Sequence, residues 1–333
     1  MKKKWFIGID ISKKTLDIVI YDSARKHAGN ENYRCLSNNK EGYNALLSWF
    51  KQKKIARSNV VIGLEHTGIY GFKLRLFLEK QHLDYCAFNP LHLKRSLGLV
   101  RGKNDKIDAE RIAYFTYLHR DELIYSHLSG TTILRLQELS AERKRFVTQQ
   151  AGHKAMLTDN KEGHTTSTLR RAKRMVKVLE EEIKAIDEEM ETLIGADQSM
   201  ATNYALLTSI KGIGNVNAIS TIIQTNNFEA FETARQYACY LGIAPFGHTS
   251  GTSVKRATRV SNIGARQLKA DLSQAAKSAI VWDKELKEYY ERKTKEGKAY
   301  GVILNAVKFK LVCRMFAVVR RRTPFVELKT YKI

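Results

Sequence analysis

The chain has 333 residues, 43% of them apolar and only three of them proline, which excludes a disordered chain and allows two or three domains with real cores. Its 57 Lys and Arg against 34 Asp and Glu leave a charge of +23 and a pI ≈ 9.8, so the expected partner is a polyanion, nucleic acid ahead of anionic membrane. Four scattered cysteines (Cys35, Cys86, Cys239, Cys313) lack zinc-ligand spacing and read as reduced, packed thiols.

The N-terminal "MKKKWFIGIDISKK" has too short an apolar run for a signal peptide. The apolar stretch from Val302 to Val319 is broken by Lys308, Lys310 and Arg314 and cannot span a bilayer cheaply. A soluble, cytoplasmic protein without membrane partners is expected.

Along residues 1–125, "KWFIGIDIS", "TLDIVIYDS" and "NENYRCLS" predict three adjacent strands. The segment "EGYNALLSWFKQK" predicts a helix, "NVVIGLE" a buried strand, "YGFKLRLFLEK" a helix and "DYCAF" a short strand. Helices follow from Pro90 to His119. Three hairpin-type strands followed by alternating helices and strands is the order of a ribonuclease H-like α/β domain.

Residues 126–200 change character. Met175, Leu179, Ile183, Ile186, Met190 and Leu193 recur at helical spacing and predict an antiparallel helical hairpin with an earlier helix around Leu136, Leu139 and Phe146. An open apolar seam of this kind suits a coiled-coil oligomerisation arm, although a plain spacer has the same pattern.

Residues 201–333 predict a compact helical domain. Lys211-Gly212-Ile213-Gly214 between two apolar helices has the helix-hairpin-helix pattern, in which glycines let backbone N–H groups approach a DNA phosphate; an ordinary glycine turn reads the same way. The charge excess concentrates here, with 20 Lys and Arg against 7 Asp and Glu from residue 251 onward.

Four acids stand at telling places. Asp10 ends the apolar run "WFIGID", and Glu65 ends "VVIGLE" before the turn "HTGIY". Asp105 and Asp108 lie three apart at a predicted helix start, a pattern that ordinary helix capping also produces. In a ribonuclease H-like sheet the two strand ends lie side by side, and a helix with acids at i and i+3 can meet them. Such carboxylates repel by about 4 kcal/mol per pair at about 4 Å and an effective dielectric of about 20. Bound Mg²⁺ or Mn²⁺ removes that repulsion, and two such ions can clamp a phosphodiester.

A second constellation is the turn Thr249-Ser250-Gly251-Thr252-Ser253, followed by Lys255, Arg256, Arg259, Arg266 and Lys269. One of its hydroxyls could bind or attack phosphate; a Ser/Thr-rich surface turn explains the same letters.

Taken in order, Asp10, the "EHTGIY" run at Glu65, "NDKIDAERIA" and "SGTSV…RVSNIG" resemble the DEDD transposases of the IS-one-ten family of bacterial insertion sequences, relatives of the Piv DNA invertase. The resemblance covers nearly the whole chain. It implies a RuvC-like domain, a coiled-coil arm and a C-terminal transposase domain in a bacterial, cytoplasmic enzyme. It implies that Asp10, Glu65, Asp105 and Asp108 bind Mg²⁺ or Mn²⁺ and that Ser250 joins covalently to DNA.

It further implies a bridge RNA from the element's non-coding end that pairs with donor and target DNA, and dimers assembling to a tetramer in which one protomer's acids meet another's serine. Two departures from the family pattern are His66 after Glu65 and Asn262-Ile263 after Ser261. The rival readings are a guide-free site-specific invertase, a RuvC-like nuclease or resolvase using water, and a non-catalytic scaffold.

Overall fold

A computed structural model describes residues 3–21, 30–66, 68–96, 104–159, 161–250, 254–260 and 264–326, with backbone alone at 30, 69, 161, 247–250 and 254–259. The chain forms two compact units, 1–128 and 129–333.

The first unit follows the predicted order. It comprises β1 (Trp5–Ile11), β2 (Thr15–Ile20), β3 (Tyr33–Ser37), α1 (Lys40–Gln52), β4 (Val60–Glu65), α2 (Ile69–Lys80), β5 (Tyr85–Phe88), α3 (Pro90–Ser96) and α4 (Asp105–Leu118). The sheet order is β3-β2-β1-β4-β5, with β2 antiparallel to its neighbours and β1, β4 and β5 parallel. That mixed α/β arrangement is consistent with a RuvC-like domain.

Period-2 alternation divides the sheet's two faces. Ile7, Ile9, Leu16, Ile18, Ile62 and Leu64 pack with Trp49 of α1 and Leu74 and Leu78 of α2. On the other face, Val19 packs against Ala109 and Ala113 of α4. This second face positions the acids.

The second unit comprises α5 (Thr131–Thr158), α6 (Thr166–Gly195), α7 (Gln198–Thr208), α8 (Asn215–Gln224), α9 (Ala234–Tyr240), β6 (Pro245–Ser250), β7 (Val254–Val260), α10 (Arg266–Trp282), α11 (Lys284–Lys295) and α12 (Tyr300–Arg321). Helices α5 and α6 run antiparallel, tied by Arg135–Glu189 at 2.8 Å, Arg143–Asp187 at 2.6 Å and Lys154–Glu180 at 3.0 Å.

Leu179, Ile186 and Met190 of the predicted seam are buried, and Met175 is exposed. At the base of the pair, Leu136, Leu139 and Ile194 join one core with α7, α8, α10 and α12. No described helix is long and apolar enough to cross a membrane.

One expectation needs correction. The C-terminal region is not purely helical: β6 and β7 form an antiparallel hairpin, with Ser250 paired to Val254. The β-branched Thr249, Val254, Thr258 and Val260 favour extended backbone, and interleaved cations disguise the pattern in the sequence.

Candidate functional site

Two glycines in register build the acidic site. Gly8 of β1 pairs with Gly63 of β4. A Cβ on Gly8 would stand 2.0 Å from the Ala109 carbonyl oxygen and 2.3 Å from the Ala113 nitrogen; one on Gly63 would stand 2.0 Å from Thr116 Oγ1. The sheet thus has a shallow trough that admits α4 at backbone contact distance. Asp10 and Glu65 follow those glycines by two residues, on the same face.

Helix α4 crosses with its C-terminal half over the start of β1, where Phe6 and Tyr117 meet edge to face at 5.4 Å. Its first turn, carrying Asp105 and Asp108, therefore lies toward the strand ends that carry Asp10 and Glu65. All four acids share one end of the sheet.

The electrostatics report the same convergence. The Asp10 carboxyl is pushed up to about 6, first by burial and then by the charges of Asp108, Asp105 and Glu65. Capping does not explain Asp105: the α4 cap is Asn104, whose side chain accepts from the Lys106 N–H at 3.0 Å. Asp108 Oδ1 accepts from Arg111 Nη1 at 2.7 Å.

Among the described residues, no three carboxylates, imidazoles or thiols stand close enough to hold one ion as they are. The charges of Asp108, Asp105 and Glu65 nonetheless reach Asp10, and Asp108 is engaged by Arg111. An all-oxygen set with an elevated carboxyl pKa fits a hard divalent cation, which would relieve the repulsion on drawing them in.

A fifth acid escaped the sequence reading. Asp17 of β2 is the cross-strand partner of Asp10, is only 5% exposed, and accepts from the Tyr33 hydroxyl at 2.6 Å. That hydrogen bond, ahead of burial, holds the Tyr33 phenol well above its usual range. Lys106 Nζ lies 5.1 Å from the centre of the Tyr33 ring, linking the first turn of α4 to β3. A charge inside "TLDIVI" on the α4 face was the available signal.

The basic constellation lies in the second unit. Ser250 ends β6, and Lys255, Arg256 and Arg259 lie on β7 opposite Thr249, His248 and Phe246. Residues 251–253 and the departures at Ser261-Asn262-Ile263 lie outside the described residues. His66 is exposed and continues the β4 pairing, its N–H donating to the Phe88 carbonyl at 2.9 Å.

The feet of the hairpin touch: a Cβ on Gly264 would stand 2.8 Å from the Gly242 nitrogen. Lys269 Nζ donates to the Gly242 carbonyl at 2.8 Å, while Arg266 is exposed at the start of α10.

The α7–α8 turn separates its two glycines. Gly212 has φ +91 and packs on α10, its Cβ position being 2.7 Å from the Ala275 carbonyl oxygen and from Ala279 Cβ. Its glycine identity follows from the core. Gly214 caps α8 with open space around it, and Lys211 beside it is exposed. Only Gly214 leaves its surroundings clear for a phosphate.

Comparison with known proteins supplies the family. Residues 7–160 match a transposase model of the DEDD type of IS110 elements, and residues 204–291 match the transposase model of the IS116/IS110/IS902 family. Over 332 residues, 97% of this chain and 98% of each relative, the sequence is 25% identical to the pilin gene-inverting proteins of Moraxella bovis and Moraxella lacunata. It is 30% identical over 118 residues to an uncharacterized 43.6 kDa protein of insertion element IS110 from Streptomyces coelicolor, covering 35% of this chain and 29% of that protein. Both family models lie in the order of the two constellations, acids first and serine hairpin second, and the chain belongs to the IS110-family transposases, enzymes of DNA transposition and recombination.

Proposed function

We propose that this transposase cuts and rejoins donor and target DNA through a covalent serine–DNA intermediate. Asp10, Glu65, Asp105 and Asp108 would hold Mg²⁺ or Mn²⁺, and a bridge RNA would align the two DNAs. The convergence of the four acids on one end of the sheet, read in the Asp10 carboxyl, carries this reading.

Divalent metal at such a site stabilises charge on a phosphodiester during in-line displacement. Ser250 Oγ bonds to phosphorus while a deoxyribose oxygen leaves and takes up a proton. A sugar hydroxyl of another strand then attacks the phosphoserine, restoring the diester and the serine. The number of phosphodiester bonds is conserved, so no external energy source enters.

The bridge RNA is supported by the size of the cationic surface: 20 Lys and Arg against 7 acids after residue 250 exceed what a short duplex contact uses. Assembly as dimers and then a tetramer is supported by Met175, 38% exposed, and Val178, 43% exposed, on α6. The second reading, guide-free DNA inversion with the same residues, is favoured by the full-length match to the pilin gene-inverting proteins.

Ser250→Ala tests the covalent step. It should bind DNA as wild type does and give no protein-linked strand on a nicked suicide substrate. Normal strand cleavage by this variant would show that water attacks. RNase treatment of the purified protein separates the other pair: lost recombination supports the guide, and retained recombination supports the invertase.

A further inference from the structure

A groove of ≈ 1220 Å³ opens in the second unit between α11, α12 and the root of the β6–β7 hairpin. It exceeds the roughly 300–1,000 Å³ of ordinary small-molecule sites. Its charge is one-sided. Glu285, the one acid among the described residues that line it, is taken up by Arg314, which donates to Glu285 and to Asp283 at 2.7 Å each. Lys269, Lys308, Lys310 and Arg235 line the rest.

Lys308 is only 6% exposed and donates to Ser273 Oγ at 3.2 Å, a neutral partner. Burial, and then the charge of Lys269, lowers its pKa. Two neighbouring ammonium groups, one buried and without a carboxylate partner among the described residues, are costly in the free protein and are relieved by an anion.

Apolar side chains line the same groove: Val302, 61% exposed, and the partly buried Phe309, both on α12, the helix that also carries Lys308 and Lys310. Cations and apolar side chains lining one groove match a nucleotide whose base is not paired. An intact duplex keeps the faces of its bases stacked inside, out of reach of Val302 and Phe309.

The floor is tied to the serine hairpin. Asn305 Nδ2 donates to the Ile243 carbonyl at 2.8 Å, next to the Lys269–Gly242 bond. An occupant of the groove therefore sits against the root of the strand that ends at Ser250.

We propose that this groove binds an unpaired segment of nucleic acid, its phosphates on Lys269 and Lys308 and its bases against Val302 and Phe309. The inference rests on the proposed function only in taking the chain to act on nucleic acid; it needs neither the metal nor the serine.

The test uses full-length protein and the anisotropy of three labelled probes: an unstructured DNA strand, the same sequence as RNA, and the DNA as duplex. Val302→Glu places a carboxylate in the groove at an exposed position. Val281→Glu, on α10 and also 61% exposed, lies outside it. Val302→Glu should weaken single-strand binding about tenfold or more, and Val281→Glu less than about twofold, with duplex binding changed less than about twofold in both. A larger loss on RNA than on DNA assigns the strand to RNA, the reverse assigns it to DNA, and either supports the groove.

Lys308→Met should weaken single-strand binding similarly while keeping or raising the melting temperature, because an unpaired buried charge is removed. Equal binding by Val302→Glu and Val281→Glu, or a duplex loss as large as the single-strand loss, overturns the proposal. So does a Lys308→Met protein that is less stable and binds normally. The Ser250→Ala cleavage assay is read separately, so failure of the serine chemistry leaves this binding result interpretable.

Discussion

Residues 1–128 and 129–333 carry a similar excess of cations, 23 Lys and Arg against 13 acids and 34 against 21, yet they use charge in opposite ways. The first unit gathers four of its acids at one end of a sheet and holds them apart. The second unit is neutral from 129 to 250, with 14 of each sign, and carries its entire excess beyond residue 250. Concentrated like charge destabilises a fold unless a ligand of opposite sign is part of the working state. The contrast fits the proposed function, which puts a cation in the first unit and a polyanion on the second.

The largest expected stability effect comes from the trough that lets α4 reach the acids. Gly8→Ala places a methyl against the backbone of α4 and should cost about 3 kcal/mol, with loss of strand cleavage. Gly63→Ala meets a side-chain hydroxyl that can turn and should cost less, while Gly214→Ala, with open space around it, should stay within about 1 kcal/mol. Urea denaturation of the three variants checks the order. Equal costs at 8 and 214 would break the account of how the acids are assembled.

Much of this was legible in the sequence. Asp10 and Glu65 stood out because a charge ending an apolar strand needs a reason, and Asp105 with Asp108 because i and i+3 share a helix face. The glycines two residues before each strand acid, in "GID" and "GLE", escaped because a strand glycine reads as weakness until a helix is seen lying on it. The capping role that the sequence allowed for Asp105 is taken by Asn104. Hairpin β6–β7 was hidden by its own cations, and the groove beneath it joins residues about 80 positions apart, from Arg235 to Arg314, that no local pattern connects.

A smaller effect follows from the elevated Asp10 carboxyl. Its folded pKa, about 6, lies above the ordinary 3.8, so the folded metal-free protein binds this proton more tightly than the unfolded chain does. The contribution is present at low pH and is lost as pH rises through 6. Metal-free protein should accordingly melt at a lower temperature at pH 7 than at pH 5, other groups being equal. A divalent cation competes with that proton, so its apparent affinity should fall about tenfold per pH unit below 6 and level off above it. Asp10→Asn should flatten both profiles.

The central claim, that four acids from two strands and a helix act as one metal site, is tested most directly by Mn²⁺ titration calorimetry at pH 7.5. Wild type should be compared with Asp10→Asn, Glu65→Gln, Asp105→Asn and Asp108→Asn, each confirmed folded by circular dichroism. The account predicts that every single substitution weakens Mn²⁺ binding about tenfold or more and that the strand-cleavage rate falls with it, because members of a group acting as a unit fail together. Wild-type Mn²⁺ affinity and wild-type cleavage in folded Asp108→Asn protein would contradict it.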